Sequence, residues 1–232
     1  MCIVNDDDGE IVMTLARLEK KLMEAYKNER HLTDAANGVY MAALRNNVDL
    51  STLLNDIENG TAFRVSEFFT ATTGNLLDYL KSDYHTISQS LIDVVAGGNG
   101  GMASIGRGEF FVAFLSNFSA TISKSGNGDI YYNGKWEEMK YNNGKINVAA
   151  KPGREVFGQL TYNEWAIKCV KQAAEETFKK SDTLLIIDKN NNFVRFTNPK
   201  EVVEHYKDRV EVLKFELRNK QSNPVAIYME AA

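Results

Sequence analysis

The chain has 232 residues, of which 44% are hydrophobic and 25% charged, with two cysteines and a formal net charge of −4. Those values are ordinary for a globular protein and exclude a disordered, collagenous or disulfide-stapled chain. No apolar run is long enough to span a bilayer, no CxxC or HExxH spacing marks a zinc centre, and the net acidity confines any nucleic-acid contact to a local patch.

From Glu10 to Glu29, the residues Ile11, Leu15, Leu18, Leu22 and Tyr26 recur at spacings of three and four, which predicts an amphipathic helix. Further helices are expected over 35–45, 50–59, 64–70 and 76–95, with Asp34, Ser51 and Ser66 as caps or first-turn residues. Residues 1–95 thus read as a helical N-terminal region. The stretch AGGNGGMASIGRG then crowds six glycines together, and the helical periodicity stops. It matches no P-loop and no GxGxxG after a strand, so 96–103 reads as a linker and 104–232 as an α/β domain.

GEFFVAFLSNF predicts a buried helix, with Phe110, Phe111, Phe114, Leu115 and Phe118 covering a broad apolar face. Two strands follow, GDIYY and KWEEMK, joined by Asn133-Gly134, a dipeptide that favours a two-residue hairpin turn. Beyond them a helix is expected over 161–179, strands over 183–187 and 193–197, a short helix over 199–208, and strands over 210–218 and 225–229. The order implies an α/β (α+β) fold in which a mixed sheet is flanked by helices.

The turn fixes a register. With Asn133 and Gly134 as loop residues, Tyr132 pairs with Lys135, Tyr131 with Trp136, Ile130 with Glu137, and Asp129 with Glu138. Side chains alternate along a strand, so Glu138 and Lys140 share one face with Trp136, and Glu137 and Met139 share the other. Opposed carboxylates repel, and a divalent cation held by hard oxygen ligands offsets that repulsion. Lys140 then stands beside the ion, placed to orient or help deprotonate a water and to offset charge on a phosphate. Acidic and basic residues are also the ordinary content of a solvated strand face, so two readings of the hairpin stand side by side.

GRGEF, then GDIYYNGKWEEMK, then PGREV resemble the PD-(D/E)XK nuclease superfamily, the restriction-endonuclease-like fold, and in particular versions carried by bacterial viruses. The resemblance spans residues 104–160. It implies that Asp129 is the first acid of the motif, that Glu138 and Lys140 are its second acid and lysine, and that Glu109 is a helical acid completing the metal site. Arg154 falls where some members place a phosphate-contacting residue, and Arg107 beside Glu109 is a second such candidate. Residue 128 is glycine where the motif is named for proline.

The resemblance implies a Mg2+- or Mn2+-dependent deoxyribonuclease in which Asp129, Glu138 and Glu109 hold metal and Lys140 assists the water. Lys145, Lys151 and Arg154 are candidates for a basic patch facing the DNA backbone. The alternative is a nuclease-like fold serving as a structural or interaction component of a viral particle, in its head, neck or tail region. The acidic start MCIVNDDDGE is unlike a secretory leader. The expected location is the host cytoplasm or a virion, and the expected partners are DNA, further copies of the chain or other virion subunits, with no membrane.

Overall fold

The apolar stripe at the start of the chain forms a helix, α1 (Asp6–Ala25), on which Leu18 and Leu22 are fully buried. This computed structural model describes residues 6–25, 32–94, 107–122, 127–141, 145–148, 160–217, 225–229 and 231. The expected linker at 96–103, Lys151 and Arg154 lie outside the described residues. Helices α2 (Leu32–Arg45), α3 (Leu50–Glu58) and α4 (Val65–Thr70) fall where the periodicity places them. The cap of α3 is Asp49, whose carboxylate accepts the Thr52 N–H at 2.7 Å, while Ser51 lies in the first turn.

The single helix expected over 76–95 is not formed. A short strand β1 (Thr73–Asn75) comes before it, and in its place are two 3-10 turns at Leu76–Tyr79 and Ser82–Tyr84 and a six-residue helix α5 (Ser88–Asp93). The apolar spacing suits a helix, but the backbone partners lie elsewhere. Arg64 N–H donates to the Tyr79 carbonyl and Lys81 N–H to that of Ala62, both at 2.9 Å, which brackets a bridge between Phe63 and Leu80. Groups bonded to a distant segment are not available to an i→i−4 ladder.

Next come α6 (Arg107–Leu115), whose phenylalanines are buried as core, and β2 (Thr121–Ile122). The hairpin strands are β3 (Ile130–Tyr132) and β4 (Lys135–Tyr141), followed by β5 (Lys145–Val148) and α7 (Tyr162–Thr177). Strands β6 (Thr183–Ile187) and β7 (Asn192–Phe196), helix α8 (Pro199–Tyr206), and strands β8 (Lys214–Leu217) and β9 (Val225–Tyr228) complete the described elements. The strand expected from Val210 begins instead with a 3-10 turn, Val210–Val212.

The fold is α/β, and the chain divides into two compact units, residues 1–68 with 77–122 and residues 69–76 with 123–232. Helix α6 therefore groups with the helices, and β1 groups with the sheet that follows, so the division falls elsewhere than at the glycines. In the second unit the strand order is β1-β7-β6-β4-β3. Strands β4 and β6 run parallel, and the neighbouring pairs β3–β4, β6–β7 and β1–β7 are antiparallel. Parallel neighbours need a long crossover, and the connection from β4 to β6 carries α7. A second antiparallel sheet has the order β5-β9-β8.

Helix α7 starts on a reciprocal cap in which Thr161 and Glu164 each bond the other's backbone N–H. Its Ala166, Cys169, Val170 and Ala173 pack with Leu184 and Ile186 of β6, Phe196 of β7 and Tyr206 of α8. That core fixes the position of β6, and β6 in turn fixes β4. Among the described residues, no helix is long and apolar enough to cross a membrane.

Candidate active site

The hairpin turn is the one its sequence predicts. Asn133 and Gly134 have φ of 47° and 83°, the pair of left-handed residues that a type I′ turn requires. The ladder pairs Tyr132 with Lys135, Tyr131 with Trp136 and Ile130 with Glu137, as expected. It ends there. Asp129 N–H donates to the Glu137 carbonyl at 2.8 Å, and Asp129 Oδ2 accepts the Met139 N–H, also at 2.8 Å. Asp129 thus reaches β4 through its side chain, which fastens the carboxylate to a backbone amide.

Gly128 explains how the chain comes this close. Its N–H donates to the Lys180 carbonyl at 3.0 Å, and a Cβ at this position would lie 2.9 Å from the Glu137 carbonyl oxygen. Proline would lose the donor and bring carbon into that contact, so glycine suits this site where the resembling motif carries proline. Gly128→Ala is expected to cost about 1–3 kcal/mol through overpacking against backbone. Urea unfolding measures it, and an unchanged midpoint would show that β4 yields freely.

Three side chains converge on the face predicted for them. Lys140 Nζ lies 2.5 Å from Glu138 Oε1 and 3.3 Å from Asp129 Oδ2. Each of the three is about a quarter exposed or less, so the contacts are only partly screened. The sequence suggested that a metal ion offsets the two carboxylates, but the first compensating charge is the chain's own ammonium. Burial raises the Asp129 carboxyl above its ordinary value, the Lys140 charge opposes this, and the Glu138 charge adds to it. Burial pulls the Lys140 ammonium down, but the charges of Asp129 and Glu138 outweigh burial and leave it above its ordinary value. Lys140 is therefore a cation at neutral pH.

The opposite face of β4 carries a different assembly. Glu137 and Arg195 are 4% exposed each and form a bidentate pair, with Nε to Oε2 at 2.5 Å and Nη2 to Oε1 at 3.2 Å. Thr183 Oγ1 donates to Glu137 Oε2 at 3.0 Å, and Arg195 Nη1 donates to the Ala71 carbonyl. The guanidinium also stands over the rings of Phe69 and Phe193. Sequence reading passed over Arg195. Its signal was an arginine inside the apolar run FVRF, where a buried charge needs a partner.

The other expected site residues are more scattered. Glu109 is half-buried in the first turn of α6, in the first unit, and Arg107 opens the same helix. Lys145 opens β5. Among the described residues, no three His, Cys, Asp or Glu side chains are grouped to hold a metal ion. The second unit itself supplies two hard-oxygen ligands. The internal hydrogen bonds use Asp129 Oδ2 and Glu138 Oε1, and among the described residues none reaches Asp129 Oδ1 or Glu138 Oε2. Two carboxylates completed by water and phosphate are the usual donor set of Mg2+, so the pair fits that ion.

Cys169 is buried in the α7 core, where burial pushes its thiol up to about 11 and leaves it inert at neutral pH. His85 meets the Leu80 carbonyl at 3.1 Å and His205 meets Arg209 at 3.0 Å, so both serve local structure. The chain matches no family model, no curated protein and no solved structure.

Proposed function

We propose that the chain is a Mg2+-dependent nuclease of the PD-(D/E)XK type that hydrolyses DNA phosphodiester bonds on a restriction-endonuclease-like core. The observation that carries this reading is the convergence of Asp129, Glu138 and Lys140 on one face of β4, with one oxygen of each acid left open. The mixed sheet flanked by helices is in keeping with such a core. Asp129 and Glu138 would hold the ion; Glu109, the third acid that the resemblance implies, belongs to the other unit. When bound, Mg2+ acidifies a coordinated water and offsets charge on the phosphate.

The chain's own residues do the positioning. The Met139 amide holds the Asp129 carboxylate and the Lys140 ammonium holds that of Glu138, so both acids are oriented before any substrate arrives. Lys140 acts as a cation, hydrogen-bonding the attacking water and offsetting charge on the phosphate oxygens. Arg107 and Arg154 are proposed as phosphate contacts on the resemblance alone. Incubation of the purified protein with plasmid DNA is expected to give nicking or linearisation with Mg2+ and none with EDTA. Plasmid and single-stranded DNA both left intact under both conditions would refute the reading.

A second reading, a structural component of a viral particle, draws on Met13, Met23 and Leu44, exposed by 70%, 59% and 55% on α1 and α2. Docking on other subunits would cover these side chains. Co-purification with assembled particles, without cutting, would favour it.

A further inference from the structure

The face of the hairpin that bears the acids also bears two aromatic rings. Tyr131 and Trp136 are register partners, one two residues past Asp129 and the other two residues before Glu138. Two residues along a strand return to the same face, about 7 Å away. The rings meet at 4.7 Å between centroids, tilted by 48°, and Tyr131 is 38% exposed. Tyr132, pointing to the opposite face, has its ring stacked on Phe69 at 4.3 Å and 17°. An open aromatic pair standing one step from a phosphate-cleaving site suits a flat, polarisable ligand that is covalently tied to that phosphate.

We propose that Tyr131 and Trp136 form a nucleobase-stacking subsite that holds an unpaired nucleotide next to the scissile phosphate. The preferred substrate is then single-stranded DNA, or a single-stranded region, over intact duplex. This inference rests on the nuclease reading above. A base inside a duplex has both faces covered by its neighbours, so only an unstacked base can lie on a protein ring. Every base offers a π face, so such a subsite selects strandedness and tolerates any sequence.

The test uses the full chain with end-labelled oligo-dT, alone and annealed to oligo-dA. The expected result is faster Mg2+-dependent cleavage of the single strand. Tyr131→Ala is expected to raise KM for oligo-dT about 5- to 150-fold with kcat little changed, and Tyr131→Phe to keep the wild-type KM. A wild-type KM in Tyr131→Ala, or faster cutting of the duplex, would overturn the subsite. A binding arm in EDTA separates this outcome from failure of the nuclease reading. Oligo-dT is expected to quench tryptophan fluorescence in the wild type and not in Trp136→Phe, since the other tryptophan, Trp165, is buried. Quenching without cleavage would refute the nuclease and keep the subsite, and absence of quenching would refute the subsite whether or not the protein cuts.

Discussion

Asparagine at Asp129 and methionine at Lys140 are each expected to lower Mg2+-dependent DNA cleavage by about 10²–10³-fold or more. The two variants part company in stability, and that difference ties the loss to chemistry. In Asp129→Asn the side-chain amide would keep a carbonyl oxygen to accept the Met139 N–H, so the hairpin stays closed. In the native chain the Asp129 carboxyl titrates above its ordinary value of 3.8. Between the unfolded and folded values the native state holds a proton that the unfolded state has released, so stability falls as pH rises through that window. The amide removes this penalty. Asp129→Asn without divalent ions should therefore be at least as stable as the wild type at pH 7, although inactive. Lys140→Met leaves two carboxylates facing each other without their ammonium and should cost about 1–3 kcal/mol at pH 7. That deficit should shrink as the pH falls toward the carboxylate range. Plasmid cleavage and urea unfolding at two pH values measure both effects. Full activity in either variant would refute the assignment of the site.

The second large effect lies on the other face of the same strand. Removing either member of the Glu137–Arg195 pair, by Glu137→Met or Arg195→Met, is expected to destabilise the fold by about 3–5 kcal/mol, because the remaining charge stays buried and unpaired. Replacing both by methionine should recover most of the loss, since apolar groups of similar volume remove the desolvation penalty along with the attraction. Denaturant unfolding of the four proteins forms a double-mutant cycle. Additive losses in the double variant would show that the two residues act independently. These variants also separate the roles of adjacent acids. Glu137 belongs to the fold and Glu138 to the proposed site, and the alternation of one strand decides which is which.

Much of this was legible because it is local. Asn133-Gly134 specifies its own turn, the turn specifies the register, and the register sorts Trp136, Glu138 and Lys140 from Glu137 and Met139. The long helices, α1 and α7, were legible for the same reason, since their periodicity lies within a few residues. What escaped depends on partners far away in sequence. Nothing near Leu80 announces the bridge to Phe63 that prevents a helix there, and nothing near Thr73 announces a strand whose partner is Val194. Strand β5 was missed because it pairs with β9, which lies far along the chain. The face of Asp129 follows from the register, but its bond to the Met139 amide and the close approach at Gly128 depend on the three-dimensional path of the chain before β3. The salt bridge to Lys140 was within reach, because residues 138 and 140 had already been assigned to the same side.

The short excursion at 69–76 limits how the protein can be dissected. This segment precedes most of the sheet it joins, and between the two the chain returns to the helical unit. A fragment beginning after the glycines would discard the edge strand on β7, the Ala71 carbonyl gripped by Arg195, and the Phe69 ring beneath Tyr132. It would retain every acid of the hairpin yet expose a raw hydrogen-bonding edge, the kind of surface on which chains recruit one another into aggregates. Excision of the sheet is thus a matter of keeping two separated pieces of chain, whatever the glycines suggest about where to cut.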